Sequence, residues 1–225
     1  MAIDIAADKY CFKAKDRMSA LTHFIGFIIS VFSCPIMIIK GAIDGRSFSG
    51  LISYAVFSMS MVLLYGASAS YHSFNLGVYL NKRLRKIDHM MISVLIAGTY
   101  TPLCIGPLNG NGGYPLLCVI WALALLSIAF SLYWITCPKW LSSVIYIAMG
   151  WACVPYISKL YHILPREGFF LLLSGGIIYT IGGVLYAVKL RVLERNRNFR
   201  SHEVFHMFVM GGTLMHYLMV YLFIA

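Results

Sequence analysis

Apolar residues fill most of this chain in seven long blocks, divided by short stretches of charge, Gly, Pro and Asn. A helix that crosses a bilayer needs about 20 mainly apolar residues. The blocks therefore predict spans over roughly 19–40, 50–72, 88–106, 115–135, 141–158, 168–189 and 203–224. The connections IDGRS, PLNGNGGYP, CPKW and LPREG carry the residues that end helices and form turns. What remains is a tail over residues 1–18 and one transmembrane domain over 19–225. The tail mixes acids and bases and lacks the compact apolar core of a signal peptide, so the first span is expected to anchor the chain uncleaved.

Composition agrees with this division. With 60% apolar and 12% charged residues, the chain has too little charge to coat a soluble domain of 225 residues, and its mean hydropathy is +0.79. The expectation is an all-α polytopic membrane protein, a bundle of seven transmembrane helices. Of the 18 Lys and Arg residues, fourteen fall in the tail and the second, fourth and sixth loops, and four in the first, third and fifth. Basic residues concentrate on the cytoplasmic side, which places the N-terminus in the cytoplasm and the C-terminus outside. The net charge of +10 then reads as a topology signal that also meets anionic headgroups, with no nucleic-acid partner, since no basic patch is interleaved with exposed aromatics. The six cysteines are scattered singly and read as small core residues.

Polar residues inside spans are costly, so each is a candidate for function. The second span ends in SASYH, with Ser68 and His72 four apart on one face. The third begins with KIDHMMIS, which puts Asp88 at its mouth. The seventh begins with SHEVFH, where His202 and His206 lie one above the other, His206 about 6 Å deeper. Three helices thus bring polar groups to one level near the cytoplasmic edge. Imidazoles from His72, His202 and His206 would leave a fourth tetrahedral position open, as catalytic zinc requires. Asp88 would then hold or deprotonate a water, and Ser68 would hydrogen-bond a ligand or substrate. His23, at the inner end of the first span, reads either as a neighbour of these ligands or as interfacial, and the interfacial reading is preferred. His162 and His216 fall in the outer half, with His216 about 15 Å beyond His206 along the axis. The pairs Gly175–Gly176 and Gly182–Gly183 read as close helix packing.

The stretches THFIGF, SASYH, KIDHMMISVLIAGTYTP and HEVFHMFVMGG, in this order, resemble the bacterial haemolysin III branch of the superfamily that includes progestin and adiponectin receptors and is grouped with alkaline ceramidases. The likeness runs from about Asp16 to His216. It implies seven helices with a cytoplasmic N-terminus in a bacterial plasma membrane. It also implies zinc on His72, His202 and His206, and the serine and aspartate of the family pattern at Ser68 and Asp88. Lipids are the implied substrates or ligands, with amide hydrolysis proposed for several members and membrane homeostasis for the bacterial branch. Asp16 and Ser19 stand where that branch commonly has glutamate and asparagine, so no role is carried over to the N-terminal acid.

HEVFH also matches the H-E-x-x-H zinc signature of metalloproteases. An intramembrane protease would take a third ligand from an Asp-Gly pair, and IDG at 43–45 lies at the outer end of the first span, almost a bilayer thickness away. Glu203, next to His202, turns off the face that His202 and His206 share. The leading expectation is a zinc-dependent hydrolase of a lipid amide or ester near the cytoplasmic leaflet. The alternative is a non-enzymatic, zinc-stabilised regulator or receptor-like protein. A pore finds no support, because no span carries a regular charged stripe.

Overall fold

The computed structural model describes residues 14–134, 137–188 and 200–225. Among them every regular element is helical: α1 (Arg17–Ile43), α2 (Phe48–Ser73), α3 (Val78–Ile105), α4 (Gly113–Tyr133), α5 (Lys139–Gly150), a 3-10 turn (Val154–Tyr156), α6 (Ile157–Ile163), α7 (Arg166–Val188) and α8 (Ser201–Phe223). Six stretches are long and apolar enough to cross a membrane: α1, α2, α4, the composite Lys139–Ile163, α7 and α8. The chain is an integral, multi-pass membrane protein.

The seventh long helix, α3, starts at Val78, ten residues before the expected 88. Its early turns carry Lys82, Arg83, Arg85 and Lys86, and a helix can continue past the apolar layer because its backbone bonds stay internal. Its apolar half is diluted by Asp88, Ser93, Thr99 and Thr101, all of them buried. The helix can carry them because it is surrounded by protein, packing against α2, α4, α5 and α8. Around it the chain runs as neighbours, α1 on α2 and α7 on α8, with α1 also touching α8 to close the bundle.

The fifth span is broken, where the sequence predicted one helix over 141–158. Pro155 lacks an N–H and its ring clashes with the carbonyl four residues earlier. The freed groups find a partner in α3: the Tyr100 hydroxyl donates to Gly150 O (2.6 Å) and accepts from the Cys153 N–H (3.1 Å). Irregular backbone at membrane depth survives only when it is re-satisfied in this way.

The centre of the bundle is filled by Phe57 and Leu64 of α2, Leu103 and Cys104 of α3, Ile120 of α4, and Met219 and Val220 of α8. Large apolar residues such as Phe32, Leu126 and Phe170 cover the outside, as a lipid solvent permits. Glycines mark the closest helix contacts. A Cβ on Gly175 would lie 2.0 Å from the His216 ring, and one on Gly182 would lie 2.6 Å from Phe208. Cys104 and Cys153 are buried, Cys34 and Cys137 half-buried, and Cys118 exposed on α4; all five are free thiols. Cys11 lies outside the described residues.

The two ends of the bundle differ. At one, the Asp16 N–H donates to His72 O (3.1 Å), which joins the start of α1 to the end of α2. At the other, Lys40 Nζ and Arg46 Nε donate to Ala225 O at 3.0 and 3.3 Å. The start of α1 and the end of α8 therefore lie at opposite ends of the bundle.

Candidate metal centre

The last turn of α2 and the first two turns of α8 face each other at the α1-start end of the bundle. His72 closes α2, while His202 and His206 stand four apart on α8, so all three rings project into one gap. One ring nitrogen from each lies within 4.8 Å of the other two. His202 Nε2 and His72 Nε2 are 3.1 Å apart. Two nitrogens about 2.05 Å from a tetrahedral zinc stand about 3.3 Å from each other, so this spacing is close to what a shared ion needs. The rings are buried or half-buried, and Nδ1 of both His202 and His206 is buried with no protein partner. Three neutral nitrogen donors on one point are a site that could hold a metal ion.

His72 has an outer partner. Its Nδ1 lies 3.0 Å from Asp16 Oδ2. An ionised carboxylate only accepts, so Nδ1 carries the hydrogen and Nε2 is left as the lone-pair donor facing His202. This bond holds the Asp16 carboxyl below the usual carboxylate range. The sequence assigned no role to Asp16; the acid at this position reaches the ring of His72. Nothing in helical periodicity could have paired residues 16 and 72, because the contact depends on how α1 enters the bundle.

Glu203 is engaged elsewhere, as its offset from the histidine face predicted. Its Oε2 accepts from the Arg200 N–H (3.0 Å), capping α8, and its Oε1 accepts from Ser19 Oγ (3.2 Å) on α1. Asp44 of the IDG stretch is at the other end of the bundle, paired with Lys40 at 2.7 Å. Neither acid of the protease pattern is near the role that reading needs.

Ser68 and Asp88 do come to the site. Both are buried, and both line a small recess together with His202 and His206. At about 30 Å³ it has room for a water molecule. Ser68 Oγ is buried without a protein partner, so a hydrogen-bonding occupant is expected there. His89 also lines the recess, although an ideal helix turns it about 100° from Asp88.

His23 departs from expectation. It is 3% exposed, stacks on His206 with ring centroids 3.7 Å apart, and lines the same recess. Both of its nitrogens are unpartnered. Depth along the first span could not show that this face of α1 turns toward α8. His216 stays away from the site, buried against Gly175 and Tyr179, and His162 is exposed on α6.

Two further spaces adjoin the recess. Inward, a cavity of about 100 Å³ shares with it Leu64, Ile92, Tyr146, Phe205 and Val209 and is otherwise mainly apolar. Outward, a polar cleft of about 260 Å³ opens beside His72 and His202.

A haemolysin-III-related family profile matches residues 12–217, a stretch that contains every residue of this centre. The chain belongs to the haemolysin III family. It is 37% identical over 207 residues to the Hemolysin-3 homolog of Bacillus subtilis (strain 168), covering 90% of this chain and 91% of that protein. To Hemolysin-3 of Bacillus cereus it is 35% identical over 213 residues, covering 95% and 93%. The resemblance read from THFIGF, SASYH and HEVFHMFVMGG is thus a family membership that extends over nearly the whole chain.

Proposed function

We propose that this haemolysin III family member is a zinc-dependent hydrolase of a membrane lipid, cleaving an amide or ester bond at the cytoplasmic surface of a bacterial plasma membrane. The observation that supports it is the convergence of His72, His202 and His206 beside a recess bearing Ser68 and Asp88. The concentration of Lys and Arg in the tail and the second, fourth and sixth loops supports a cytoplasmic position for this end of the bundle.

The donor set fits zinc: three imidazoles, no thiolate, and an Nε2–Nε2 spacing of 3.1 Å. When bound, the ion supplies Lewis acidity toward a carbonyl and toward water. His72, His202 and His206 hold it, and Asp16 fixes the ring of His72. Asp88 accepts the proton of the attacking water and returns it to the departing amine or alcohol. Ser68 Oγ donates to the scissile carbonyl or its developing charge. The recess admits one or two waters and the surrounding helices exclude the rest. The apolar cavity beyond it takes the part of the lipid nearest the cleaved bond.

Purified protein is expected to carry about one zinc per chain, and His206→Ala to lose it. Asp88→Ala is expected to keep the metal and to stop release of fatty acid from added lipid, read by mass spectrometry. A variant with unchanged release would remove Asp88 from the chemistry and with it the hydrolase reading.

One feature favours a second reading. α2 and α8 touch mainly through long side chains, Tyr65 to Thr213 Oγ1 (2.7 Å), Tyr54 to Ile224 O (2.8 Å) and the histidines. A metal there would tie the two helices together, as a non-enzymatic regulator needs. That reading predicts a cellular phenotype untouched by Asp88→Ala.

A further inference from the structure

We propose that the polar cleft outside the metal centre binds a phosphate group carried by an anionic membrane lipid, with Arg85 and Arg200 as its principal contacts. The inference deepens the hydrolase reading by naming the substrate's headgroup class. Its test reads binding, so a failure of turnover and a failure of headgroup recognition come apart.

The cleft of about 260 Å³ is walled by Arg85 at the start of α3, Lys139 at the start of α5 and Arg200 before α8, together with Asp16, Glu203 and two tyrosines. Its two acids are already engaged. Asp16 accepts from His72, and Glu203 accepts from Ser19 and from the Arg200 backbone N–H. Among the described residues no carboxylate lies within ion-pair distance of Arg85 or Arg200. Three cations against two carboxylates leave the cleft with a net charge of about +1, and Arg85 is half-buried there. A partly desolvated guanidinium is stabilised by an anion with good geometry, and phosphate accepts its paired N–H groups side by side.

A topology signal alone does not explain the arrangement. The other cations at the start of α3 are directed elsewhere: Arg83 bonds the Tyr79 hydroxyl, and Lys86 Nζ donates to Leu132 O (2.6 Å). Arg85 alone of that group turns into the cleft, where residues from the starts of α1, α5 and α8 and from α2 and α7 also line the wall. His202 lines both this cleft and the recess, so a bound phosphate would sit at the mouth of the metal centre. That is where the headgroup of a lipid stands when its acyl bonds are presented inward.

The experiment uses the full-length, metal-loaded protein in neutral detergent. Native mass spectrometry would titrate it with short-chain phosphatidic acid, with diacylglycerol of the same chains, and with inorganic phosphate. A charge-assisted hydrogen bond contributes about 1.5–3 kcal/mol, so phosphatidic acid is expected to bind at least about tenfold more tightly than diacylglycerol. Arg85→Ala and Arg200→Ala are each expected to lose about tenfold, Arg85→Lys less, and Lys82→Ala, outside the cleft, nothing. Raising salt toward 1 M is expected to weaken phosphatidic acid binding to the wild type and leave diacylglycerol unchanged, which tests the charge without any variant that must fold. Equal affinity for the two lipids, or arginine variants indistinguishable from Lys82→Ala, overturns the proposal. Inorganic phosphate that displaces phosphatidic acid at equal concentration would assign the site to a soluble anion and overturn its lipid part.

Discussion

Replacing Asp16 by Ala removes the acceptor of His72 Nδ1–H and leaves the rest of the centre in place, because the backbone bond from Asp16 N–H to His72 O is unaffected. The His72 side chain is 2% exposed, so its N–H would lose its partner where water enters with difficulty. A buried unsatisfied donor costs about 1–3 kcal/mol. Loss of an outer partner of a ligating histidine typically lowers metal affinity by about 10–100-fold, or about 1.4–2.7 kcal/mol. The Asp16 side chain is itself 41% exposed, so water can take its place in part, and the expected loss falls near the tenfold end. Zinc affinity measured by chelator competition on purified protein checks this. Asp16→Glu is expected to recover most of the loss, since a carboxylate one methylene longer still accepts from Nδ1. Asp16→Asn should recover less, because it keeps an acceptor but not the charge. Ser19→Ala, which breaks only the bond to Glu203, serves as a control for general damage to the start of α1. Metal-free Asp16→Ala should melt below the wild type by whatever part of the unpaired donor's cost water does not recover. Wild-type zinc affinity in Asp16→Ala would refute the argument that this carboxylate orients the ligand.

Other perturbations follow from the packing. Tyr100→Phe removes the group that serves both Gly150 O and the Cys153 N–H, leaving two backbone groups of the broken span unpaired; a loss of about 2–4 kcal/mol is expected in unfolding experiments, and a change under about 0.5 kcal/mol would contradict the role given to that hydroxyl. Gly175→Ala places a methyl 2.0 Å from the His216 ring, so α7 and α8 must separate; a destabilisation of about 1–3 kcal/mol should appear as a lower melting temperature. Zinc at 100 times its dissociation constant should stabilise the wild type by about 2.7 kcal/mol, a chelator should reverse this, and His72→Ala should show no such shift.

The helical class and most of the spans were legible because bilayer thickness imposes a length and a polarity on each segment that no neighbour can override. The broken fifth span was only half legible. Pro155 lies inside the predicted helix over 141–158, and whether a proline kinks, ends or merely tilts a helix depends on what takes over the freed backbone groups; Tyr100 is fifty residues from Gly150. The convergence of His72 with His202 and His206 could be read because all three stand at span ends, where depth follows from counting residues. Lateral position does not follow from counting. That is why Asp88 and Ser68 were found by depth while His23, at nearly the same depth, was set aside.

The residues at the start of α1 show what a depth argument leaves out. Asp16 touches His72 at the end of α2, and Ser19 touches Glu203, the neighbour of His202 on α8. One short segment thus meets both helices that supply nitrogen donors, and it does so from outside the apolar layer, where exchange with water is cheap for the carboxylate but not for the rings it orients. A donor set split between α2 and α8 can hold an ion only if those helices keep their separation. Asp16, just before α1, and Ser19 on it bond to one side chain on each of those helices and so hold that separation.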